Sequence, residues 1–548
     1  MMAFAPFTIT SAVRTWNPSF YFVRTSPAAE VMALLRYTIS SLLVRRFGFM
    51  YLQGLSFGDK EYQVAQQTMS KMGGEFSGVF TLNGSYTGSA DDAVFNAEWE
   101  KFADTRPQAV IVFGARVNDT IKFIQKMLTD PRTADAFLLG PFALQDILLS
   151  TWREAVSAGG VPFVSGQVIT TGVSPLASDT QYEAIKRFRK VIRSFLKTVG
   201  SSFDNGEGDF LHNDEVGELM VSGWIVGEVM SQALRSPEWI RDRETFRQSL
   251  FNQRRYVVDD LVFGDFGGAC SALAKSHGAV CYCNQGGRTV YMKRFVKDFL
   301  AEAVSEGIMT LKTSHCYHTM FRMRQPLNGV AVRLVDGSEH STATSRWLKG
   351  SVAALGKASP RDTQNFFLQF LNSTTDDAGM TLNQEIEERV TDAVVGMVTE
   401  EMLEQSEVTF IDPVFLQPRL NHFQRHVIHL SPTLEQELFV LAQYLANTAD
   451  ANAHAVIRSD EAAAIADVLR QSLVTFGGSL LSSALLGADD ALESHLPRDG
   501  DVFVVGLAAT DVAVVAGHLA KHRSVRVLVL FTAFSLLYDE FVAAFNGS

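Results

Sequence analysis

Pro18-Ser19-Phe20-Tyr21-Phe22-Val23-Arg24-Thr25-Ser26-Pro27 stands near the start of the chain, followed by Glu30 and Leu34-Leu35-Arg36-Tyr37. Far downstream, Phe423-Gln424-Arg425-His426-Val427-Ile428-His429-Leu430-Ser431-Pro432 is followed by Glu437 and Leu441-Ala442-Gln443-Tyr444. Ser-Pro meets Ser-Pro at an offset of 405 residues. Upstream, Ala3-Phe4-Ala5-Pro6 meets Phe410-Ile411-Asp412-Pro413 at 407. Downstream, Ile111-Val112-Phe113-Gly114 with Asp119 meets Phe503-Val504-Val505-Gly506 with Asp511 at 392. The order is constant and the drift small, which marks an internal repeat of one module.

The residues inside the repeat give its class. Phe47–Leu52, Gly78–Phe80, Ala109–Phe113, Ala136–Leu139 and Phe163–Ile169 are short apolar runs that read as buried strands. Helical patterns lie between them, from Gly58-Asp59 to Met72, from Asp91 to Ala103, and from Asn118 or Asp119 to Leu128. Alternating strands and helices predict βαβ units, hence an α/β fold with mainly parallel sheets and helices on both faces. Gly217–Met230 predicts an apolar, buried helix.

The second copy has material before Asp412-Pro413: a strand at Gly329–Val335, a helical stretch from Asp362, a helix around Glu385, and strands at Val394–Val398 and Val408–Ile411. The first copy has none before Met1, and it runs on far beyond Phe142. The expected organisation is a first module at 1–328 lacking its N-terminal part, with a cysteine-rich segment at 264–318. A second module at 329–548 would lack its C-terminal part.

Composition narrows the class. The 548 residues are 47% hydrophobic and 20% charged, enough apolar material for sizeable cores. The 48 basic and 60 acidic side chains give a net charge of −12 and form no basic stripe, so a nucleic-acid partner is not expected. Met1–Pro6 does not read as a signal peptide. Val502–Leu537 is interrupted by charged residues and falls short of the roughly 20 apolar residues of a membrane span. The chain as given is expected to be soluble, with any membrane contact made through a segment it does not contain.

Four cysteines, Cys270, Cys281, Cys283 and Cys316, fall in one short stretch. They read as a two-disulfide staple of an oxidising compartment. Zinc is the rival, because His315 and His318 flank Cys316, though Cys-x-Cys is tighter than the usual ligand spacing; free thiols are the third reading. A Cys281–Cys283 bond would close a very small ring. Cys316 is therefore expected to pair with one of them and Cys270 with the other. Asn-x-Ser/Thr sequons at Asn83, Asn118, Asn372 and Asn546 offer glycosylation sites. Gly264-Asp265-Phe266-Gly267 resembles a kinase motif without its companions and is expected to be a tight turn. No Gly-x-Ser-x-Gly elbow and no paired aspartates for two metal ions are found, and no cofactor or metal is expected.

The module order resembles tandem two-lobed, Venus-flytrap modules of the periplasmic-binding-protein type I fold, truncated at both ends. More specific stretches carry a closer likeness. They are Tyr21–Arg24 with Ser26-Pro27, Arg46–Gly54 with Ser56–Gly58, Phe102–Gln108, Gly166–Ile169, Tyr182–Ala184, Gly217–Val221 and Asn252–Val257. Cys283–Gly287 and Val427–Pro432 complete the set. In these the chain resembles the ectodomain of trypanosomatid receptor-type adenylate cyclases. The resemblance implies a ligand-sensing region on the extracellular side of the cell-surface or flagellar membrane, coupled in the family to an intracellular cyclase domain that makes cyclic AMP from ATP. It also implies a small ligand or surface partner and a homodimer in the full-length receptor. The alternative is a surface structural or immune-facing protein with no ligand.

In amino-acid-binding relatives of the fold, hydroxyls and amides of one lobe hold the ligand carboxylate, and an aromatic and an acidic residue of the other hold its amine. By position, the resemblance implies Thr8, Thr10 and Ser11 on one lobe. On the other it implies Ser56 and Phe57, then Arg116 and Asn118, then Phe142 and Gln145. Phe142 fills the acidic position, which argues against a free amino acid held in the usual way, because a buried ammonium needs a paired charge. Val31, Leu34 and Leu35 recur at helical spacing and are expected either on a dimer surface or packed against the chain's own sheet.

Overall fold

The computed structural model describes residues 2–8, 10–199, 210–211, 213–311, 327–335, 366–415, 417–448, 450–487 and 490–545. The chain folds as two compact units, Met1–Gln325 and Pro326–Ser548.

In the first unit, β1 (Ala3–Phe4) pairs in parallel with β2 (Phe20–Tyr21). Ser26 then caps the helix Pro27–Ser40 by accepting the Ala29 N–H, with Pro27 at its first position. The central sheet follows, with β3 (Phe47–Gln53), β4 (Gly78–Asn83), β5 (Ala109–Phe113), β6 (Phe137–Gly140) and β7 (Val168–Gly172) all parallel in the order β4-β3-β5-β6-β7. All five residues of β5 are buried, as a strand covered by helices on both faces requires. The helices Asp59–Lys71, Asp92–Ala103 and Asn118–Thr129 lie where the apolar periodicity puts them.

A second group of elements packs around β1 and β2. It contains β8 (Arg254–Val258), β9 (Leu261–Gly267) and β10 (Cys283–Asn284), an antiparallel three-stranded sheet. Tyr21 stacks on Phe266, with ring centroids 4.3 Å apart. The Asn284 amide accepts the Phe22 N–H at 3.0 Å and donates to the Phe20 carbonyl at 2.8 Å. Beyond it, β11 (Thr289–Val296) joins the main sheet antiparallel to β7, and β12 (Leu300–Ala303) and β13 (Met309–Thr310) pair with β11. This return to the sheet was not anticipated.

The second unit holds two wholly parallel sheets. The first is β14 (Leu327–Leu334), β15 (Phe366–Ser373), β16 (Ala393–Val398), β17 (Thr409–Phe415) and β18 (Val427–Ile428), in the order β15-β14-β16-β17-β18. The other is β19 (Asn452–Arg458), β20 (Ser479–Leu486), β21 (Gly500–Val505) and β22 (Val525–Val529), in the order β20-β19-β21-β22. That order repeats β4-β3-β5-β6, so the repeat holds in strand order and sense. The registers agree as well. Ala3 and Phe4 pair with Phe20 and Tyr21, and 407 residues later Phe410 and Ile411 pair with Val427 and Ile428. Ala5 and Asp412, again 407 apart, both take a left-handed φ, of 50° and 51°.

Several expectations need correction. The Ser-Pro match at 405 is two residues out of structural register. The helices begin at Pro27 and Leu434, so Ser26 corresponds to Thr433, whose carbonyl starts the second helix by accepting from Glu437 N–H at 3.0 Å. Val31, Leu34 and Leu35 are fully buried in the core, so they cannot form a dimer surface. Gly264–Gly267 is the end of strand β9, not a turn. The strand expected at 163–169 starts at Val168, after a turn through Gly166 at φ 81°. The helix Asp214–Ala233 buries one stripe, Gly217, Val221, Ile225, Val229 and Ala233, and exposes Leu219. The helical stretch expected from Asp362, and Cys316, His315 and His318, lie outside the described residues.

Cys270 and Cys281 form a disulfide, with Cα atoms 5.4 Å apart, and Cys283 is also disulfide-bonded. Closing this short loop constrains the unfolded chain. Replacing both Cys270 and Cys281 by serine is expected to cost about 2–4 kcal/mol, read as a lower denaturant midpoint of the first unit's unfolding transition.

Candidate ligand-binding site

The second unit carries a cavity of about 800 Å³. Its wall is built at the carboxyl ends of strands from both sheets: Met397 of β16, Asp412 to Phe415 of β17, Arg458 of β19, Leu486 of β20, Gly506 after β21, and Leu530 to Thr532 after β22. Open α/β sheets place ligands in this position. The volume suits a small organic molecule.

Local sequence explains the shape. The pairing of β16 and β17 shifts register between Val395 and Met397, with Gly396 at φ 95° opposite the left-handed Asp412. Such a bulge bends the strand end and re-aims its side chains. The Asp412 carboxylate accepts the Leu430 and Ser431 N–H groups at 2.9 and 2.8 Å and the Ser431 hydroxyl at 2.7 Å. Burial by itself would raise its pKa, but these hydrogen bonds outweigh burial and hold it below the usual carboxylate range.

Across the cavity, Arg458 ties three segments together. It donates to the Gly506 carbonyl at 3.1 Å, to the Asp490 carbonyl at 2.8 Å, and to the Asp511 carboxylate. Asp511 also accepts the Ala508 N–H at 2.9 Å, capping the helix Ala509–Lys521. Gly506 sits at φ 80°, and a Cβ there would lie 2.0 Å from the Arg458 carbonyl oxygen. Gly506→Ala is therefore expected to destabilise the second unit by at least about 1–3 kcal/mol from backbone strain alone, with a matching fall in thermal midpoint.

Two more charged groups on the wall are engaged, while the exposed Asp460 carboxylate, also on the wall, makes no hydrogen bond or ion pair to a described residue. Glu437 accepts from the Thr532 N–H and hydroxyl, and Arg419 pairs with Glu400 at 2.6 Å while lying over the Phe415 ring. Asp412, Glu437 and Arg419 thus spend their hydrogen bonds on the protein, and Arg458 does so through its two terminal nitrogens while its buried Nε has no partner among the described residues. Met397, Val414, Phe415, Leu486, Leu507 and Phe531 supply an apolar wall.

The residues singled out from sequence lie in the first unit. Thr10 caps a short turn by accepting the Ala12 N–H at 3.0 Å and donates its hydroxyl to the Ser56 carbonyl. The Ser11 N–H donates to Glu61 at 2.9 Å. Thr8 is half-buried and its Oγ1 is 3.4 Å from the Thr10 nitrogen. Ser56 is exposed, whereas Phe57 is buried against Phe113. Arg116 is exposed and donates to the Ala143 carbonyl at 3.0 Å, and Asn118 is the exposed first residue of its helix. Phe142 is buried, and its N–H faces Glu30 and Thr171 at 3.2 and 3.0 Å. Gln145 is buried, donates to Asp214 at 2.8 Å and faces Thr170 at 3.3 Å. Thr10 thus meets the Ser56 segment, Arg116 meets the segment after Phe142, and Phe142 lies edge-on to Phe7, close to Thr8 in sequence.

Glu30 to the Phe142 N–H, and Glu437 to the Thr532 N–H, are equivalent contacts in the two modules. Sequence reading noted both glutamates but not their shared partner. The second-unit cavity was missed because its wall is largely apolar and carries no motif. Asn83, Asn118 and Asn372 are exposed, and Asn546 lies outside the described residues.

Two segments match one kind of domain, described as adenylate cyclase, periplasmic binding protein-like, over residues 29–172 and 323–548. The protein is thus a tandem of periplasmic-binding-protein-like domains of the adenylate cyclase type. Along its whole length it is homologous to the trypanosomatid receptor-type adenylate cyclases. It is 46% identical to receptor-type adenylate cyclase ESAG 4 of Trypanosoma brucei brucei, over 100% of this chain and 44% of that one. To receptor-type adenylate cyclase B of Leishmania donovani it is 28% identical, over 100% of this chain and 43% of that one. The chain therefore spans less than half the length of these relatives. Among solved structures, a possible leucine/isoleucine/valine-binding protein from Rhodopirellula baltica SH 1 aligns with a TM-score of 0.36 at 15% identity, over 56% of this chain and 71% of that one. Among the described residues, no helix is long and apolar enough to cross a membrane, and no group of three or more His, Cys, Asp or Glu could hold a metal ion.

Proposed function

We propose that this chain is the ligand-sensing region of a receptor-type adenylate cyclase, held on the extracellular side of the cell-surface or flagellar membrane, and that it binds its ligand in the cavity of the second unit. The observation that carries this reading is the ring of strand carboxyl ends, from two parallel sheets, around one cavity of about 800 Å³. The disulfide and the exposed sequons at Asn83, Asn118 and Asn372 support an oxidising, secretory setting.

The wall selects the ligand class. Asp412, Arg419, Glu437 and Arg458 already make hydrogen bonds to the protein, so a charged ligand drawn to them would have to displace protein partners, whereas a neutral, mainly apolar molecule gains contact area at once against the apolar wall. Ligand binding would act by favouring one arrangement of two receptor chains over another, since a ligand of equal affinity for both shifts nothing. The isolated chain is expected to show no cyclase activity.

Thermal-shift measurements against a panel of neutral and charged metabolites test this reading. Neutral apolar compounds should raise the second unit's midpoint, by about 2.7 kcal/mol of added stability at a hundredfold excess over Kd. Ala508→Trp, which fills the cavity from its rim, should abolish the shift while the free protein still unfolds cooperatively. Stabilisation only by charged compounds, or equal stabilisation of Ala508→Trp, would count against it.

A further inference from the structure

Arg24 lies between β2 and the helix Pro27–Ser40, at the carboxyl end of β2. Its guanidinium makes no hydrogen bond to any described residue, and its Nε and Nη1 atoms are buried without partners. Buried unpaired N–H groups are rare and costly, most of all on a charged group. Instead, two rings hold it. The guanidinium carbon lies 4.0 Å from the Phe7 ring centroid and 5.2 Å from that of Phe142. Phe7 follows β1 and Phe142 follows β6, so the rings come from the carboxyl ends of strands in different sheets.

The nearby carboxylate does not satisfy it. Glu30 is buried, and its Oε2 faces the Thr171 hydroxyl at 2.5 Å and the Phe142 N–H at 3.2 Å. Among the described residues, no carboxylate lies within 4 Å of the Arg24 nitrogens. Lys293, whose ammonium lies 5.2 Å from the Phe142 ring centroid, is taken up by Asp214 and Glu218.

The repeat sharpens the contrast. At the shared offset of 407, Arg24 corresponds to Ser431 and Ala5 to Asp412. In the second unit those two positions satisfy each other, Ser431 donating to Asp412. In the first, the acid is an alanine and the serine an arginine, so the guanidinium has no hydrogen-bonded anion among the described residues, and Glu30 and Glu218 act on it only from a distance.

We infer that Arg24 is the anchor of a second ligand site, in the first unit, which takes the carboxylate of a small molecule with an aromatic or apolar body. A planar guanidinium offers paired N–H groups that match a carboxylate in bidentate fashion. Phe142 walls the site on one side. Phe7, 57% exposed, covers it on the other, and turning that ring outward uncovers the guanidinium. The ligand body then takes the place of the Phe7 ring against Phe142.

The test titrates the full chain with phenylacetate, phenylacetamide and inorganic phosphate by calorimetry. Phenylacetate should bind one per chain, at least tenfold more tightly than its neutral amide. Arg24→Gln should lose that preference, and Ala508→Trp in the other unit should keep it. Should Arg24→Gln fail to fold, Phe7→Ala serves, because its ring is largely exposed; phenylacetate should then associate several-fold faster. The inference is overturned if the wild-type chain binds acid and amide alike or not at all, if phosphate is preferred, or if Arg24→Gln binds phenylacetate as the wild type does.

Discussion

Replacing Lys293 by alanine is expected to destabilise the first unit by about 3–5 kcal/mol, because it leaves buried carboxylates without their cation. Lys293 sits in the middle of β11, paired in register with Thr170 of β7 and Ala303 of β12, and it is 2% exposed. Its ammonium contacts both Asp214 and Glu218 from the helix Asp214–Ala233. The Glu218 carboxylate also accepts the Val173 N–H at 2.5 Å. One lysine thus joins the returning strand, the end of β7 and a helix of the other group. Chemical denaturation of the wild type and Lys293→Ala would measure the loss. A change below about 1 kcal/mol would mean that the cluster is not held as described.

The same cluster sets a pH dependence. Burial pushes Glu218 up to about 7, against the pull of Lys293. A folded-state pKa above the ordinary 4.5 means that the folded chain holds a proton that the unfolded chain has released. Stability from this group therefore falls as pH rises from about 4.5 to about 7. Lys293 is also lost from water, but Asp214 and Glu218 outweigh that burial and hold its pKa above 10.5. Its contribution is complete below pH 10.5 and disappears as pH climbs through the higher folded value. The first unit should thus be most stable on the acid side of neutrality, and a midpoint series from pH 5 to 8 should show a decline.

Arg458→Met is the second large effect. It should cost the second unit about 3–5 kcal/mol, since Asp511 is buried and loses the one cation that pairs with it among the described residues. It should also weaken binding in the cavity at least tenfold, because Arg458 ties the segments at Gly506 and Asp490 to the end of β19. The double variant Arg458→Met with Asp511→Leu separates the two consequences. It should recover stability, with no buried charge left, while affinity stays low because the carbonyl anchors are still missing. Recovery of both together would assign Arg458 a purely electrostatic role.

The repeat was legible in sequence because strands buried on both faces are nearly continuous apolar runs, and those of the two modules fall in the same order. Its register was less so. Ser-Pro recurs at 405, yet helix starts and strand pairings place the true offset at 407, since the second helix begins after Thr433, two residues beyond Ser431. Val31, Leu34 and Leu35 were left between a dimer surface and the core because helical spacing shows that a helix has an apolar face without showing what covers it. In the first unit that face packs against β7 and β11, and β11 escaped notice because Lys293 reads as a surface residue. In the second unit the equivalent helix Leu434–Thr448 exposes Val440 and Tyr444, and among the described residues no strand continues the sheet beyond β22. The cavity was invisible for a related reason: its lining residues are spread from Gly396 to Leu537 and meet only through the strand order.

Native mass spectrometry of the chain, incubated with a pool of neutral apolar metabolites and then freed of excess, tests the central claim most directly. Wild-type protein should retain a small neutral molecule at one per chain in the second unit's cavity, and Ala508→Trp should retain none. A wild-type chain that emerges with no added mass, or an Ala508→Trp chain that carries the same molecule, would contradict a sensor that binds its ligand there.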